Sequence, residues 1–183
     1  MNPLTIVVIL LVLVAVWLMF TFNRLVTWRN RVKEASSDIE VQQKRRYDLI
    51  PNIVETVKGY AKHEDAVFTK VTQARAAAMG ATDPKAKLDA ENALSSTLKS
   101  LFAVSESYPE LKANQNFLAL QQELTDTEDK IQAARRFFNT NVRDYNTSLE
   151  TFPTNMIANM FGFKPYEFFD AEPEAEQPVK VQF

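Results

Sequence analysis

FLALQQELTDTEDKIQAARRFFNTNVRDYNTSLETF, residues 117–152, decides the fold. Phe117, Leu120, Leu124, Thr127, Ile131, Ala134 and Phe138 recur at steps of 3-4-3-4-3-4. After one step of four, Val142, Tyr145, Leu149 and Phe152 resume 3-4-3. Steps near 3.5 residues keep all these side chains on one stripe of a helix, so the stretch predicts a long bundle or coiled-coil seam with one stutter. A second seam starts at Leu25 and continues through Trp28, Val32, Ala35, Ile39, Gln42, Arg46, Leu49 and Ile53. No stretch alternates with period two, and the chain has only three glycines. The soluble part therefore reads as all helix.

Local chemistry marks the breaks. Gly80-Ala81-Thr82-Asp83-Pro84 reads as a stop, a cap and a proline at the next first turn. Ser105 to Pro109 and Phe152-Pro153 are similar, and Gly59 to Glu64 is a weaker break. The expected helices span 24–60, 64–79, 84–104 and 109–152, roughly 55, 24, 31 and 65 Å long at about 1.5 Å per residue. Two long helices and two short ones close an antiparallel up-down-up-down four-helix bundle. The expected organisation is a transmembrane anchor over 1–23, the bundle over 24–153, a short amphipathic aromatic segment over 154–170 and a disordered acidic tail over 171–183.

The anchor is read from Leu4 to Phe22, where there is no charge. Nineteen helical residues reach roughly 30 Å, the thickness of the hydrocarbon layer. Asn2 suits the cap and Pro3 the first turn. A cleaved signal peptide fits worse, because no basic stretch precedes the run and no small-residue cleavage site follows it. Arg24, Arg29, Arg31 and Lys33 come directly after the run. The positive-inside rule then places the N-terminus outside and the bundle in the cytoplasm. Trp17 and Trp28 flank the exit and read with Arg24 and Arg29 as interfacial residues. By the length argument residue 152 returns to the membrane, so Met156, Ile157, Met160 and Phe161 either lie in the interface as a short helix or fold back on the base of the bundle.

Antiparallel pairing of 24 with 152 sets Arg46 level with about residue 130. Both seams turn polar there: Gln42 and Arg46 on one, Thr127 on the other. This predicts a polar layer of Gln42, Arg45, Arg46, Asp126, Thr127 and Glu128 that fixes register. Pro51 interrupts the same seam. It removes the bond to the carbonyl of Tyr47 and disfavours helical ψ at Ile50. Either the helix kinks there, with an arginine or a water serving the freed carbonyl, or it restarts with Asp48 as its cap. The basic stretch is a solvated face or a docking site.

KRRYDLIPNIVETVKGYAKHE at 44–64, ANQNFLALQQELTDTEDKIQAARRFFN at 113–139 and VRDYNTSLETFP at 142–153 resemble the bacterial LemA family, in order and over most of the chain to about Phe169. The resemblance implies a single-pass membrane protein with a membrane-adjacent four-helix bundle. It also implies a role in membrane organisation, with relatives at magnetosome membranes and others beside zinc metallopeptidases of the HtpX type. It assigns no catalytic residue.

The residue inventory argues against catalysis. There is no Cys and one His, and His63-Glu64 lacks a second His four residues on, where Val67 stands. Glu123, Asp126 and Glu128 have no Glu-x-x-His pairs to complete a di-metal site. No cofactor and no small-molecule substrate are expected. The formal net charge of -2 gives no footprint for nucleic acid. The expectation is a non-enzymatic scaffold or adaptor whose partners are membrane lipids, a second copy of the chain or a membrane protein. The competing reading is a regulator of a membrane protease or envelope-stress pathway.

Overall fold

The computed structural model describes residues 2–169, and the expected acidic tail lies outside them. The described chain is all-α, with six helices: α1 Pro3–Lys58, α2 Asp65–Gly80, α3 Pro84–Ser105, α4 Pro109–Lys112, α5 Gln115–Glu150 and α6 Thr154–Met160. The apolar run and the first bundle helix are one uninterrupted helix, α1. No glycine or helix-breaking proline lies between Phe22 and Arg24, so nothing in the backbone stops the helix there. The Asn2 side chain caps the start by accepting from the Leu4 N–H at 3.3 Å.

The breaks follow the capping chemistry. Asp83 accepts from the Ala86 N–H at 3.0 Å, with Pro84 in the first turn of α3. Helix α1 ends at Lys58, before Gly59. The expected helix 109–152 is a correction: Pro109 opens a four-residue helix, and the chain restarts at Gln115. Asn114 causes the restart. Its Oδ1 accepts from the Phe117 N–H at 3.0 Å, and its Nδ2 donates to the Tyr60 hydroxyl at 2.8 Å. Helix α6 ends at Met160, and Gly162 just past its cap takes a φ of 69°, the left-handed conformation that glycine adopts without strain.

The described residues form two compact units. The first takes the chain up to Ile39 together with Ala133–Phe169, and the second is Glu40–Gln132. In the first, Val32, Ala35 and Ile39 of α1 pack against Phe138, Val142 and Tyr145 of α5. Leu25 packs on Ile157 and Ala158 of α6. In the second, one core joins Tyr47, Ile50 and Val57 of α1, Phe68 and Val71 of α2, Leu94, Leu98 and Leu101 of α3, and Phe117 and Leu124 of α5. Burying each such side chain contributes about 1.5–3 kcal/mol. The span Leu4–Phe20 differs: its large apolar side chains are exposed, a sleeve that water does not tolerate and hydrocarbon does.

Candidate functional site

The second unit buries a charge. Arg46 of α1 has no exposed surface, although it occupies a core position of the seam. Two carboxylates meet it. Its Nη2 bonds Glu91 of α3, itself buried, and its Nη1 bonds Glu128 Oε2 of α5 at 2.5 Å. Nη1 also donates to Ser95 Oγ at 2.9 Å, and Ser95 donates on to Glu128 Oε1 at 3.2 Å. The Tyr47 hydroxyl donates to the other oxygen of Glu91. The planar guanidinium thus joins α1, α3 and α5 through charge-assisted bonds. Its Nε is buried without a partner.

Of the expected layer, Arg46 and Glu128 are brought together and Arg45 reaches the neighbouring Glu123 at 2.8 Å, half-exposed. The other three do not bridge helices. Thr127 is buried, but its hydroxyl donates to the Glu123 carbonyl one turn back at 2.7 Å. Asp126 is exposed and accepts from Gln122 at 2.8 Å. Gln42 is half-buried with an unpartnered Oε1, and its neighbour Gln43 is the fully buried amide. The reason is angular: consecutive residues on a helix point about 100° apart, so Asp126 and Thr127 cannot share a face.

Sequence reasoning missed Glu91, Ser95 and Tyr47. A signal existed for Glu91, because Glu91, Leu94, Leu98 and Leu101 step 3-4-3 and put a carboxylate in a core position of α3. Beside the network, α3 and α5 enclose a groove of about 240 Å³, with Leu98, Phe102 and Leu124 as apolar wall and Ser95 and Glu128 at its polar side.

Pro51 lies inside α1, which continues through it with Ile50 buried, so the helix does not restart at Asp48. The carbonyl that Pro51 frees, that of Tyr47, accepts from Arg75 Nε of α2 at 2.8 Å. A side chain from another helix therefore supplies the bond that proline cannot.

In the first unit, Ile157 is buried on Leu25, so α6 folds back on α1, which is one of the two placements expected for this segment. Met156, Met160 and Phe161 are exposed, and Phe161 stacks edge-on to Phe22 at 4.8 Å. Trp17 and Arg24 are exposed, while Trp28 is half-buried under the Arg31 guanidinium at 5.0 Å. Arg29 lies over Phe163 at 5.4 Å. Beyond Gly162 the chain is extended along α5 and is held by two amides one heptad apart. Asn146 accepts from the Tyr166 N–H at 3.1 Å and donates to its carbonyl at 2.8 Å. Asn139 does the same for Phe169, at 2.8 and 2.9 Å. Burial keeps the Tyr145 phenol above its usual 10.0, with Tyr166 beside it adding to the shift and Arg29 opposing it.

Among the described residues no three His, Cys, Asp or Glu side chains converge as a metal site would need. Glu123 and Glu128 are taken by arginines and Asp126 by Gln122.

Fold and site together define a class: an all-helical protein with one N-terminal helix apolar enough to cross a membrane and a helical domain closed around a buried arginine. Residues 35–183 match the LemA family, and the chain belongs to it. It is 28% identical over 150 residues to Protein LemA of Metamycoplasma hominis, covering 81% of this chain and 68% of that one. It is also 26% identical over 188 residues to Magnetosome protein MamQ of Magnetospirillum gryphiswaldense, covering 88% of this chain and 69% of that one.

Proposed function

We propose that this chain is a single-pass, membrane-anchored scaffold or adaptor without catalytic activity of its own. In this reading Leu4–Phe22 spans the membrane, the N-terminus lies outside, and α1, α2, α3 and α5 form an antiparallel up-down-up-down bundle on the cytoplasmic side. The bundle docks a second copy of the chain or a membrane-protein partner. The carrying observation is α1 itself. Its first five turns are a bare apolar sleeve, and its later turns are locked into a core by Arg46. A chain that carries both an apolar anchor and a closed helical core tethers that core to a membrane, as a scaffold requires. The resemblance of MamQ, a magnetosome protein, supports a role at a membrane.

The absence of cysteine makes a clean test possible. Val41→Cys on the exposed face of α1 carries one photo-cross-linker in otherwise unaltered full-length protein. The expected result in native membranes is one discrete adduct containing a second copy or a membrane protein. Full extraction by alkaline carbonate with no adduct sinks the reading. A stoichiometric adduct with a peptidase would instead favour a protease regulator.

A further inference from the structure

We propose that the first unit carries a site for the phosphate of an anionic lipid headgroup, in the groove between α1 and α5 that Arg24, Arg143, Thr21 and Thr147 help to line. The groove holds about 440 Å³ and is lined by these four residues, with Trp28 and Asp144 among the others. That volume suits a small-molecule ligand. Beside the apolar Leu25 and Trp28, two arginines, several threonines and a serine are among its lining residues.

Charge selects an anion. Asp144 is neutralised by its neighbour Arg143, whose Nε and Nη2 both reach Oδ1 at 3.1 Å. Arg24 makes no ion pair with any described residue and is exposed, so the lining keeps one net positive charge. The hydroxyls of Thr21 and Thr147 donate to no carbonyl among the described residues, unlike Thr151, which donates to Thr147 O at 2.7 Å. They are therefore free to join the arginines in charge-assisted bonds to phosphate oxygens. A quaternary ammonium headgroup finds less here, because Arg31 already stacks on Trp28 at 5.0 Å.

Position selects a lipid over free phosphate. Thr21 is the second-last residue of the apolar run, and Arg24 follows Phe22 by two residues, about 3 Å along the axis. A helix that buries 4–22 in hydrocarbon holds the groove at headgroup depth. The inference rests on that anchor reading.

The test uses full-length protein in neutral detergent, by native mass spectrometry with phosphatidylglycerol, phosphatidylcholine and inorganic phosphate as separate probes. Phosphatidylglycerol is expected to be retained over phosphatidylcholine by about tenfold, because both carry the phosphate but only phosphatidylcholine brings a cation against the unpaired Arg24. Arg24→Gln, which removes the one unpaired charge of the lining, should abolish that preference at unchanged helical circular dichroism, and Thr21→Val should weaken it. Arg31→Gln removes an equal charge outside the groove and should leave it intact. Equal loss in Arg31→Gln means a diffuse basic belt and overturns the site. Displacement of the lipid by millimolar inorganic phosphate overturns the lipid assignment. Carbonate extraction of the protein from membranes defeats the anchor and the site together, whereas firm membrane retention without lipid preference defeats the site alone.

Discussion

The two units use the same pair of helices, α1 and α5, and hold them by opposite means. In the second unit the contact is closed by a charge taken out of water, Arg46 between Glu91 and Glu128. In the first it is closed by apolar packing of Val32, Ala35 and Ile39 on Phe138, Val142 and Tyr145, and two asparagines of α5 clamp an extended peptide by its backbone. A buried charge is unforgiving, because each partner exists only to answer another. A clamp of amides on a peptide is modular, because either rung can fail while the other holds.

The sharpest break of this comparison is Arg46→Met. It strands Glu91 in the core, and loss of one member of a buried ion pair costs about 3–5 kcal/mol. Urea melts of the full-length protein should register that loss. Arg46→Met combined with Glu91→Leu and Glu128→Gln should recover much of it, since no charge is then left unpaired in the core. If the single variant melts like wild type, the network contributes nothing and the contrast collapses. In the first unit, Asn146→Ala removes both bonds to Tyr166 and should cost about 1–3 kcal/mol. The loss should appear as faster amide exchange confined to the peptide after Gly162. Spread of that exchange into the second unit would refute the modular reading.

How much of this was legible in the sequence follows from periodicity. The seams of α1 and α5 were readable because repeating apolar positions report a helix face whatever it packs on. Arg46 and Glu128 were reachable by register, since two long antiparallel helices leave one free parameter. Glu91 was not, because α3 is joined by short turns and its height and rotation are set by packing. The two asparagine clamps were invisible for another reason. Asn139 and Asn146 lie off the apolar stripe, and their partners are backbone atoms that every residue possesses. The aromatic residues after Phe161 announced burial without saying in which solvent.

Pro51 offers a finer test of the second unit. Pro51→Ala restores an N–H that can reach the Tyr47 carbonyl, the group Arg75 now serves at 2.8 Å. Arg75→Gln alone should cost about 1.5–3 kcal/mol, the worth of a hydrogen bond to a charged donor. In a Pro51→Ala background it should cost clearly less, and the double-mutant cycle measures the difference. Strict additivity would mean that the Arg75 bond is incidental to the proline.

The smallest effect concerns the first unit and alkaline pH. Burial beside Tyr166 holds the Tyr145 phenol above its usual 10.0, with Arg29 opposing in part. The unfolded chain therefore loses this proton first, and above pH 10 the folded state binds more protons than the unfolded one. Stability is fully present below pH 10 and falls as pH rises from there toward the folded pKa. Tyr145→Phe keeps the ring against Tyr166 and removes the proton, so its stability should fall less steeply over the same window. Titrating groups that do not touch Tyr145 are common to the two proteins and cancel in their difference. Parallel slopes for wild type and Tyr145→Phe would mean that the ring's surroundings are open to water, and that the first unit is more loosely closed than its clamps imply.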